Sequence, residues 1–520
     1  MQKSSEAAEP VTMTDLPNFW RLEMLRRVAL LVLFLSPSAF GQAWTHLGSL
    51  PPNPAALDAS AEAKTPATNL QPFRRHWHKL VYIGGTTKKM MYWPANPNCC
   101  AGTFSNAIFL FDTAKALSAG NATAPGVWTL AWSRGTKASL GKAPITSISR
   151  EKGIVTVNFI SDPLSVFHGG NALITGTSSP SNHSFDGLHS ITSSEDLLAH
   201  SLTYSQSPSL PDEAGTCTGA GPAAKCGFVV TPTDDLHHPS DRHPYWIIAY
   251  DAKRNVMYNG FGTSHASLTG CGDCSEKDLY KLDFNLDPPE WTQLCGDARI
   301  SVPCADNKGV AVPGIQEGQA AYDKDNDVFV IYGGLVKGSQ VDTTWEYKPA
   351  TNTWTRTCEK DCLALAGGPK GLNKAGLVYD ETGKTMLLFG GVISGGGGKA
   401  DNNETFLYDT NTHKWSKAKS SLNPPPQSCP PIDYDPDRGS VILISGDKTG
   451  SPSHVWEWKS ATKSWTDLNI AGGPPLSTVG DAWNDGGYDR NAHKFVVIVD
   501  QTSQQTAHVE VLNLPAPTAH

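Results

Sequence analysis

The feature that most constrains this chain is an internal repeat marked by the dipeptide Tyr-Asp. The dipeptide recurs at Tyr250-Asp251, Tyr322-Asp323, Tyr379-Asp380, Tyr434-Asp435 and Tyr488-Asp489. A short polar turn follows each copy, for example Asp325 to Asp327, and then an apolar run such as Val328 to Tyr332. Turn residues between two runs of this kind predict a β-hairpin. A hairpin that recurs along the chain predicts a repeat architecture, in which each unit packs on its neighbours.

Each unit carries two further marks. Paired glycines end the apolar strand in two units, at Gly333-Gly334 and Gly390-Gly391, where a residue without Cβ lets backbones approach closely. The next strand brings an aromatic residue separated by six residues from a Trp, as in Tyr347 and Trp354, Tyr408 and Trp415, and Trp458 and Trp465. We expect the Trp of each unit to be core. The unit predicts four short strands in about 45 to 55 residues, the period of a propeller blade.

Paired glycines followed by a Tyr and a Trp six residues apart resemble the kelch repeat. The chain as a whole resembles the kelch-type propeller of the galactose oxidase family. Counting the units gives six, so the resemblance implies an all-β fold, a six-bladed kelch-type β-propeller with a small inserted all-β domain. The composition agrees, because 48 Gly and 37 Pro in 520 residues predict many turns and few helices.

The repeat and its interruptions divide the chain into four segments. Residues 1–41 are a leader and signal peptide, and residues 42–142 hold an N-terminal closing strand and the first blade. Residues 143–232 are an inserted small β domain and linker, in which alternating runs such as Ile154 to Phe159 predict strands. Residues 233–520 hold the remaining blades. The last unit lacks a Trp strand, so we expect Ala43 to Leu47 to complete it and close the ring.

The first segment has the three regions of a secretory signal. Arg26-Arg27 precede the apolar run Val28 to Leu35, and small residues follow up to Ala43. We expect either a true start at Met24 or a long polar region before the signal, and cleavage after Gly41 or after Ala43 fits equally. The run is far shorter than the roughly 20 residues of a membrane-spanning helix, so no stable membrane span is expected after cleavage. We expect a secreted, periplasmic or cell-surface protein.

Export favours disulfides among the eleven cysteines, because oxidising compartments let them persist. Close spacing predicts four local pairs: Cys217 with Cys226, Cys271 with Cys274, Cys295 with Cys304, and Cys358 with Cys362. The second of these pairs also has the spacing of a redox or zinc half-site, but no second CxxC occurs, so a loop disulfide is the interpretation we favour. The odd total leaves at least one thiol free or paired between chains, among Cys99, Cys100 and Cys429.

The repeat frame also predicts a ligand site. If the strand before each Tyr-Asp is innermost, its first residues lie at the mouth of a central channel. The residues five before each Tyr are Tyr245, Glu317, Lys374, Cys429 and Trp483. A Glu and a Lys among aromatic side chains are typical of an acid-base pair or a sugar platform, and equally of an internal ion pair. Arg74 and Arg75 of the first unit would favour an anionic ligand there.

Metal chemistry has weaker signals. His237, His238 and His243 lie beside Asp241 in a polar run that would bind copper or zinc or simply form a loop. Asp323, Asp325 and Asp327 mimic part of a calcium loop, but they occupy the turn of the repeat and lack its Gly and Glu, so we interpret them as turn residues. The family resemblance implies a copper-radical site with a Tyr directly followed by a His, and no Tyr-His dipeptide occurs. We predict no cofactor.

These observations favour a binding module over an enzyme. The net charge of −8 offers no basic surface, so nucleic acid is not expected as a partner. We expect an exported interaction module whose ligand is a glycan or another protein. The alternative is a carbohydrate-active enzyme, either a galactose-oxidase-like redox enzyme or a sugar mutarotase. The sequence carries no signal for the oligomeric state.

Overall fold

The computed structural model describes most of the chain after residue 42. The described residues are 43–50, 79–93, 108–132, 143–159, 171–175, 177–181, 185, 187–193, 201–217, 227–231, 239, 242–243, 245–264, 275–287, 289–296, 302–395, 398–446, 451–476, 484–501 and 506–515. The predicted leader and signal peptide, residues 1–41, lie outside them. So does most of the predicted linker before the second unit.

The first strand of the described chain, β1 (Trp44–Leu50), belongs to its last sheet. The next four strands form an antiparallel sheet. Sheet 1 consists of β2 (Lys79–Ile83), β3 (Lys89–Trp93), β4 (Ile108–Phe111) and β5 (Trp128–Trp132), in that order. Helix α1 (Thr113–Ala119) connects the last two strands. Asp112 caps it by accepting the Lys115 backbone N–H at 3.0 Å, and Gly120 ends it at φ 63°.

The predicted insertion forms a separate sheet. Its strands are β6 (Ala143–Glu151), β7 (Ile154–Phe159), β8 (Asn171–Thr175), β9 (Thr177–Ser178), β10 (Gly187–Ser193), β11 (Ser201–Ser205), β12 (Glu213–Cys217) and β13 (Gly227–Thr231). They are ordered β13-β8-β10-β11-β7-β6-β12-β9, and β13 also pairs with β6. Buried Arg150 is bound by Glu213 and by Gln206 within this sheet. The predicted strands of the insertion are confirmed.

Four more four-stranded sheets follow, and a small two-stranded sheet accompanies each of three of them. Sheet 2 holds β15 (Ile248–Asp251), β16 (Val256–Gly260), β18 (Leu279–Asp283) and β19 (Glu290–Cys295), with β14 (Arg242–His243) and β17 (Thr263–Ser264) paired beside it. Sheet 3 holds β20 (Gln319–Asp323), β21 (Val328–Tyr332), β24 (Thr344–Lys348) and β25 (Thr353–Cys358), with the hairpin β22 (Leu335–Val336) and β23 (Ser339–Gln340). A 3₁₀ helix spans Ala364–Ala366. Sheet 4 holds β26 (Gly376–Asp380), β27 (Thr385–Phe389), β30 (Thr405–Asp409) and β31 (Lys414–Lys417), with the hairpin β28 (Val392–Gly395) and β29 (Gly398–Asp401). Sheet 5 holds β32 (Ile432–Asp435), β33 (Ser440–Ser445), β34 (His454–Lys459) and β35 (Ser464–Asp467).

The last sheet joins the two ends of the described chain. Sheet 6 is ordered β36 (Asp485–Asp489), β37 (Lys494–Gln501), β38 (Thr506–Leu512) and β1. Trp44 pairs with Leu512, and Leu50 pairs with Ala507, in antiparallel register. The prediction that the N-terminal strand completes the last unit is therefore confirmed.

The first strands of the six sheets contact one another in a cyclic order. The contacts run from β2 to β15, β20, β26, β32 and β36, and β36 contacts β2 again. Apolar side chains fill the space between sheets, as where Leu47 and Leu50 of β1 join one cluster with Leu80 and Tyr92 of sheet 1. The prediction of an all-β chain is confirmed. The helices that the structure describes are too short to cross a membrane.

The buried Asp of each Tyr-Asp dipeptide holds the turn that follows it. Its Oδ1 accepts the backbone N–H groups two and three residues further on, at 2.9 and 3.0 Å for Asp323 and at 2.9 Å twice for Asp489. The same two bonds occur at Asp251, Asp380 and Asp435. An Asp side chain that binds its own backbone in this way favours a turn. The hairpin prediction and the interpretation of these Asp residues as turn residues are confirmed.

The glycine pair and the Trp fasten one sheet to the next. Gly333 has φ 63°, and a Cβ there would lie 2.5 Å from the Leu372 carbonyl oxygen at the start of sheet 4. Trp415 Nε1 donates to Thr344 Oγ1 of sheet 3 at 2.8 Å, and Trp465 Nε1 donates to Thr405 Oγ1 of sheet 4 at 2.8 Å. The Trp of the fourth strand is buried in sheets 1, 2, 3 and 5 and half-buried in sheet 4. It is core, as predicted.

Two of the predicted disulfides lie among the described residues. Cys295 is bonded to Cys304, and Cys358 is bonded to Cys362. Cys429 is buried and free. The side chain of Cys217 and residues Cys226, Cys271, Cys274, Cys99 and Cys100 lie outside the description, so their pairing stays a prediction.

Candidate functional site

We call the residues predicted to lie at the channel mouth the predicted ring. Those that the structure describes occupy equivalent places in their sheets. Tyr245, Glu317, Lys374 and Cys429 precede the first strands of sheets 2 to 5, and each has a left-handed backbone, at φ 52°, 51°, 58° and 51° respectively. Few residues other than Gly adopt this conformation, so its recurrence marks one shared turn. Trp483, Arg74 and Arg75 lie outside the described residues.

Backbone hydrogen bonds link these turns in series. The Lys374 N–H donates to the Glu317 carbonyl at 3.1 Å, and the Cys429 N–H donates to the Lys374 carbonyl at 2.7 Å. Lys374 Nζ also lies 3.2 Å from Glu317 Oε1, and Asn373 donates to the other carboxylate oxygen. The Glu and Lys side chains are only 15% and 16% exposed. The pair therefore ties the start of sheet 3 to the start of sheet 4.

The same end of the first strands is filled by apolar contacts. Tyr245 and Trp246 of sheet 2 pack with Cys429 of sheet 5 in one buried cluster. Sheets 2 and 5 are three places apart in the cyclic order, so a contact between them crosses the centre. Burial raises the pKa of the Cys429 thiol well above its usual range, which disfavours the reactive thiolate. The four described residues of the predicted ring therefore contact one another in series.

A cavity of about 390 Å³ lies further along the same strands, beside the Tyr of each first strand. It is lined by residues of all six first strands, at or up to three places before the strand's Tyr, and by turn residues of five sheets. The lining residues are Lys79 to Tyr82, Gly84, Ile248 to Tyr250, Ala252, Ala320 to Tyr322, Lys324, Leu377 to Tyr379, Glu381, Ile432 to Tyr434, Gly486 and Arg490. None of the four described ring residues is among them. The predicted site and this cavity therefore lie along the same strands but do not coincide, and the predicted site stays a prediction.

Tyrosine hydroxyls hold this part of the sheets together. Tyr379 donates to Asp325 at 2.6 Å, and Tyr488 donates to Asp437 at 2.5 Å, each reaching the turn of the preceding sheet. Burial raises the pKa of Tyr250 to about 12. These hydroxyls are protonated donors at neutral pH and already have acceptors. These hydroxyl groups therefore link neighbouring sheets beside the cavity.

Charged residues of three sheets meet at the Tyr-Asp end of the cavity. Glu381 lies between two cations, at 3.5 Å from Lys324 Nζ and 2.5 Å from Arg490 Nη2. Deeper along the strands, Lys79 Nζ lies 3.0 Å from Asp485 Oδ1. Every one of these cations faces a carboxylate, so the cavity combines donors and acceptors without a strong net charge.

Asp433 is the remaining ionisable group of the lining. Its Oδ1 accepts the Tyr434 N–H and its Oδ2 accepts the Tyr488 N–H, both at 2.8 Å. Burial raises the pKa of Asp433, although these two bonds and the nearby charges of Arg490 and Lys79 act against the rise. The sequence carries a signal for this residue. Directly before the Tyr of the first strand, this unit has Asp, whereas the other units have Val, Ala or Gly.

The predicted metal ligands are not brought together within the described structure. His237 and His238 lie outside it, and His243 lies in β14 without a described side chain. Among the residues that the structure describes, no group of three or more His, Cys, Asp or Glu side chains is arranged to hold a metal ion. The copper or zinc site stays a prediction.

Part of the chain is similar to a known protein. No family model matches the chain. A stretch of 297 residues is 22% identical to a putative adagio-like protein 2 of rice, Oryza sativa subsp. japonica, a protein with kelch repeats. The match covers 54% of this chain and 42% of the rice protein, so the chain spans less than half of the relative that it matches. This similarity is consistent with the kelch pattern of the repeat.

Proposed function

We propose that the chain is a six-bladed kelch-type β-propeller that binds a ligand in its central cavity. The cyclic contacts of the six first strands and the pairing of β1 with β38 support this architecture. The six four-stranded sheets are its blades, and the cavity lies on its axis. The kelch repeats of the rice relative favour the same interpretation.

The cavity itself is the observation that carries the binding function. Its volume of about 390 Å³ lies within the range of about 300 to 1,000 Å³ of small-molecule sites. Its walls are mostly apolar, with a few charged groups, and such a mixture favours the end of a glycan over a large protein surface. We propose glycan binding as the function, with a protein loop as the other ligand to test.

A filled cavity provides the test. Ala321 lies in the cavity wall, so Ala321→Leu places extra volume inside it, whereas Ala400→Leu adds the same atoms at an exposed site. Calorimetric titration of the chain from residue 42 with monosaccharides and glycan fragments should show binding that Ala321→Leu abolishes and Ala400→Leu preserves. Equal binding by both variants, with both melting as the parent does, would exclude the cavity.

A carbohydrate-active enzyme is the second candidate, and Asp433 is the observation that favours it. A carboxyl group with a raised pKa inside a cavity is suited to general acid-base catalysis, as sugar mutarotation requires. Polarimetry on freshly dissolved α-anomers of glucose and galactose tests this. Faster mutarotation that is lost in Asp433→Ala would establish the enzyme, and an unchanged rate would leave the binding module.

Export is part of the proposal. The disulfides Cys295–Cys304 and Cys358–Cys362 favour an oxidising compartment. Intact mass measurement on the protein recovered from medium or periplasm should show a mature chain that begins at residue 42 or 44. Recovery of the full-length chain in the cytoplasm, with reduced cysteines, would contradict export.

A further inference from the structure

The residue before the Tyr of the first strand is acidic in sheet 5, where it is Asp433, and small and apolar in the other five sheets. The residues directly before the Tyr of each first strand are Val81, Ala249, Ala321, Val378 and Gly487. Asp433 is half-buried and lines the cavity. A carboxylate in an apolar wall lowers stability unless its partners compensate for the lost hydration. Because five sheets form with apolar residues here, the fold does not require this carboxylate.

The carboxylate is held in a fixed orientation at the seam between two sheets. The N–H of Tyr434, in its own strand, donates to one oxygen, and the N–H of Tyr488 in sheet 6 donates to the other. Gly487 lies beside it at a crowded position, where a Cβ would be 3.0 Å from Met90 Cε, 3.2 Å from the Leu80 carbonyl oxygen and 3.3 Å from Asp433 Oδ2. An ionised carboxylate has about four acceptor sites, so about one site on each oxygen is left. Because Asp433 lines the cavity, a ligand bound there can donate to these remaining sites.

The surroundings favour a neutral polar ligand for these acceptors. Lys79, Lys324 and Arg490 line the cavity together with Glu381 and Asp433, and Asp485 pairs with Lys79. Three positive and three negative charges balance. Lys79 and Asp433 line the same cavity, so an ammonium donor and a carboxylate acceptor share its wall. A strongly charged ligand would oppose one of these groups, whereas a sugar hydroxyl both donates and accepts.

We propose that Asp433 and Lys79 form a subsite for two adjacent hydroxyl groups of a sugar, in which Asp433 accepts a hydrogen bond from each hydroxyl group. The inference rests on the proposed binding of a glycan in the cavity and names the residue that selects it. Asp433 fixes the orientation of the sugar because about one free acceptor site remains on each of its oxygens. Lys79 donates to an oxygen of the same sugar.

The test combines a variant with altered sugars. Asp433→Ala places in sheet 5 the residue that sheets 2 and 3 carry, so the variant is expected to fold, and thermal melting checks this. Glu359→Ala is the matched control, since the Glu359 side chain is 70% exposed. Titration calorimetry uses the methyl glycosides of glucose, galactose and mannose and their 2-, 3- and 4-deoxy analogues. Hydrogen bonds to a charged acceptor correspond to about 10- to 100-fold in affinity each.

We expect one glycoside to bind the parent protein and Glu359→Ala equally, and Asp433→Ala at least ten times more weakly. Among its deoxy analogues, the two that lack one of the adjacent hydroxyl groups bound by Asp433 should bind the parent protein more weakly than the glycoside does. The same analogues should bind Asp433→Ala as well as the glycoside does. If Asp433→Ala binds the parent glycoside as well as the parent protein does, while Ala321→Leu abolishes binding, the subsite is wrong and the glycan site in the cavity stands. If no glycoside binds the parent protein, glycan binding and the subsite both fail.

Discussion

Leu47 is one of the buried side chains through which β1 should contribute to stability. It is 1% exposed and packs in the cluster that joins sheet 6 to sheet 1. Its carbonyl oxygen accepts the Ala122 N–H at 2.7 Å, beside the bulge that the register shift in β1 marks. Leu47→Ala removes buried atoms and leaves a cavity, which costs about 2 to 5 kcal/mol in well-packed cores. A protein whose total stability is about 5 to 15 kcal/mol loses a large part of it.

The matched control is Leu365→Ala, because Leu365 is 83% exposed and loses the same atoms without a cavity. Urea unfolding followed by tryptophan fluorescence compares the free energies of unfolding of the two variants. Hydrogen exchange measured by mass spectrometry should show faster exchange in β1, β38 and β37 of Leu47→Ala. If both variants unfold at the same urea concentration, or if exchange rises elsewhere and not in sheet 6, the assignment of β1 as the closing strand of the core is refuted.

Three other changes test separate parts of the structure. Trp465→Phe should lower the free energy of unfolding by about 1 kcal/mol more than Trp458→Phe, because Trp458 Nε1 has no partner among the described residues and Trp465 loses a bond between sheets. Glu317→Gln should cost about 1 to 3 kcal/mol and leave ligand affinity unchanged, since Glu317 does not line the cavity; weaker binding at unchanged stability would restore the predicted ring as the site. Burial and the charge of His46 hold the pKa of His508 below 6.5, so the unfolded state takes up its proton first and stability falls as the pH drops from about 6.5. Unfolding measured between pH 7.5 and 5 should show this slope, and His508→Gln should flatten it; an equal slope in both proteins would assign it to other groups.

The repeat was readable in advance because it depends on local chemistry. Asp323 and Asp489 bind the backbone of their own turns, and Gly333 meets a neighbouring backbone, so each leaves a signal in the residue type itself. Strand periodicity likewise predicted the insertion. The pairing of β1 with β38 followed from counting strands in the last unit, a global requirement that the repeat makes visible.

The location of the site was less readable. The frame brings Glu317 and Lys374 to equivalent positions, but only contacts across the centre decide whether that position is open or filled. Tyr245 and Cys429 meet there because their side chains happen to reach each other, and no spacing in one sequence encodes such a contact. Asp433 could have been found by comparing the units column by column, since it breaks the apolar pattern before Tyr. Helix α1 was missed because its seven residues interrupt a strand pattern.

Sheet 6 also sets an order of events during biosynthesis. His46 of β1 contacts Glu510 of β38 across 464 residues of sequence, so the ribosome releases one strand long before its partner. Until then β1 carries its apolar side chains unpaired, and β2 lacks the neighbour that β36 supplies. Long-range pairing is slow, and an exposed strand edge invites association with other chains. An incomplete chain is therefore exposed to association through β1, and folding that begins only once β38 is available would reduce this risk.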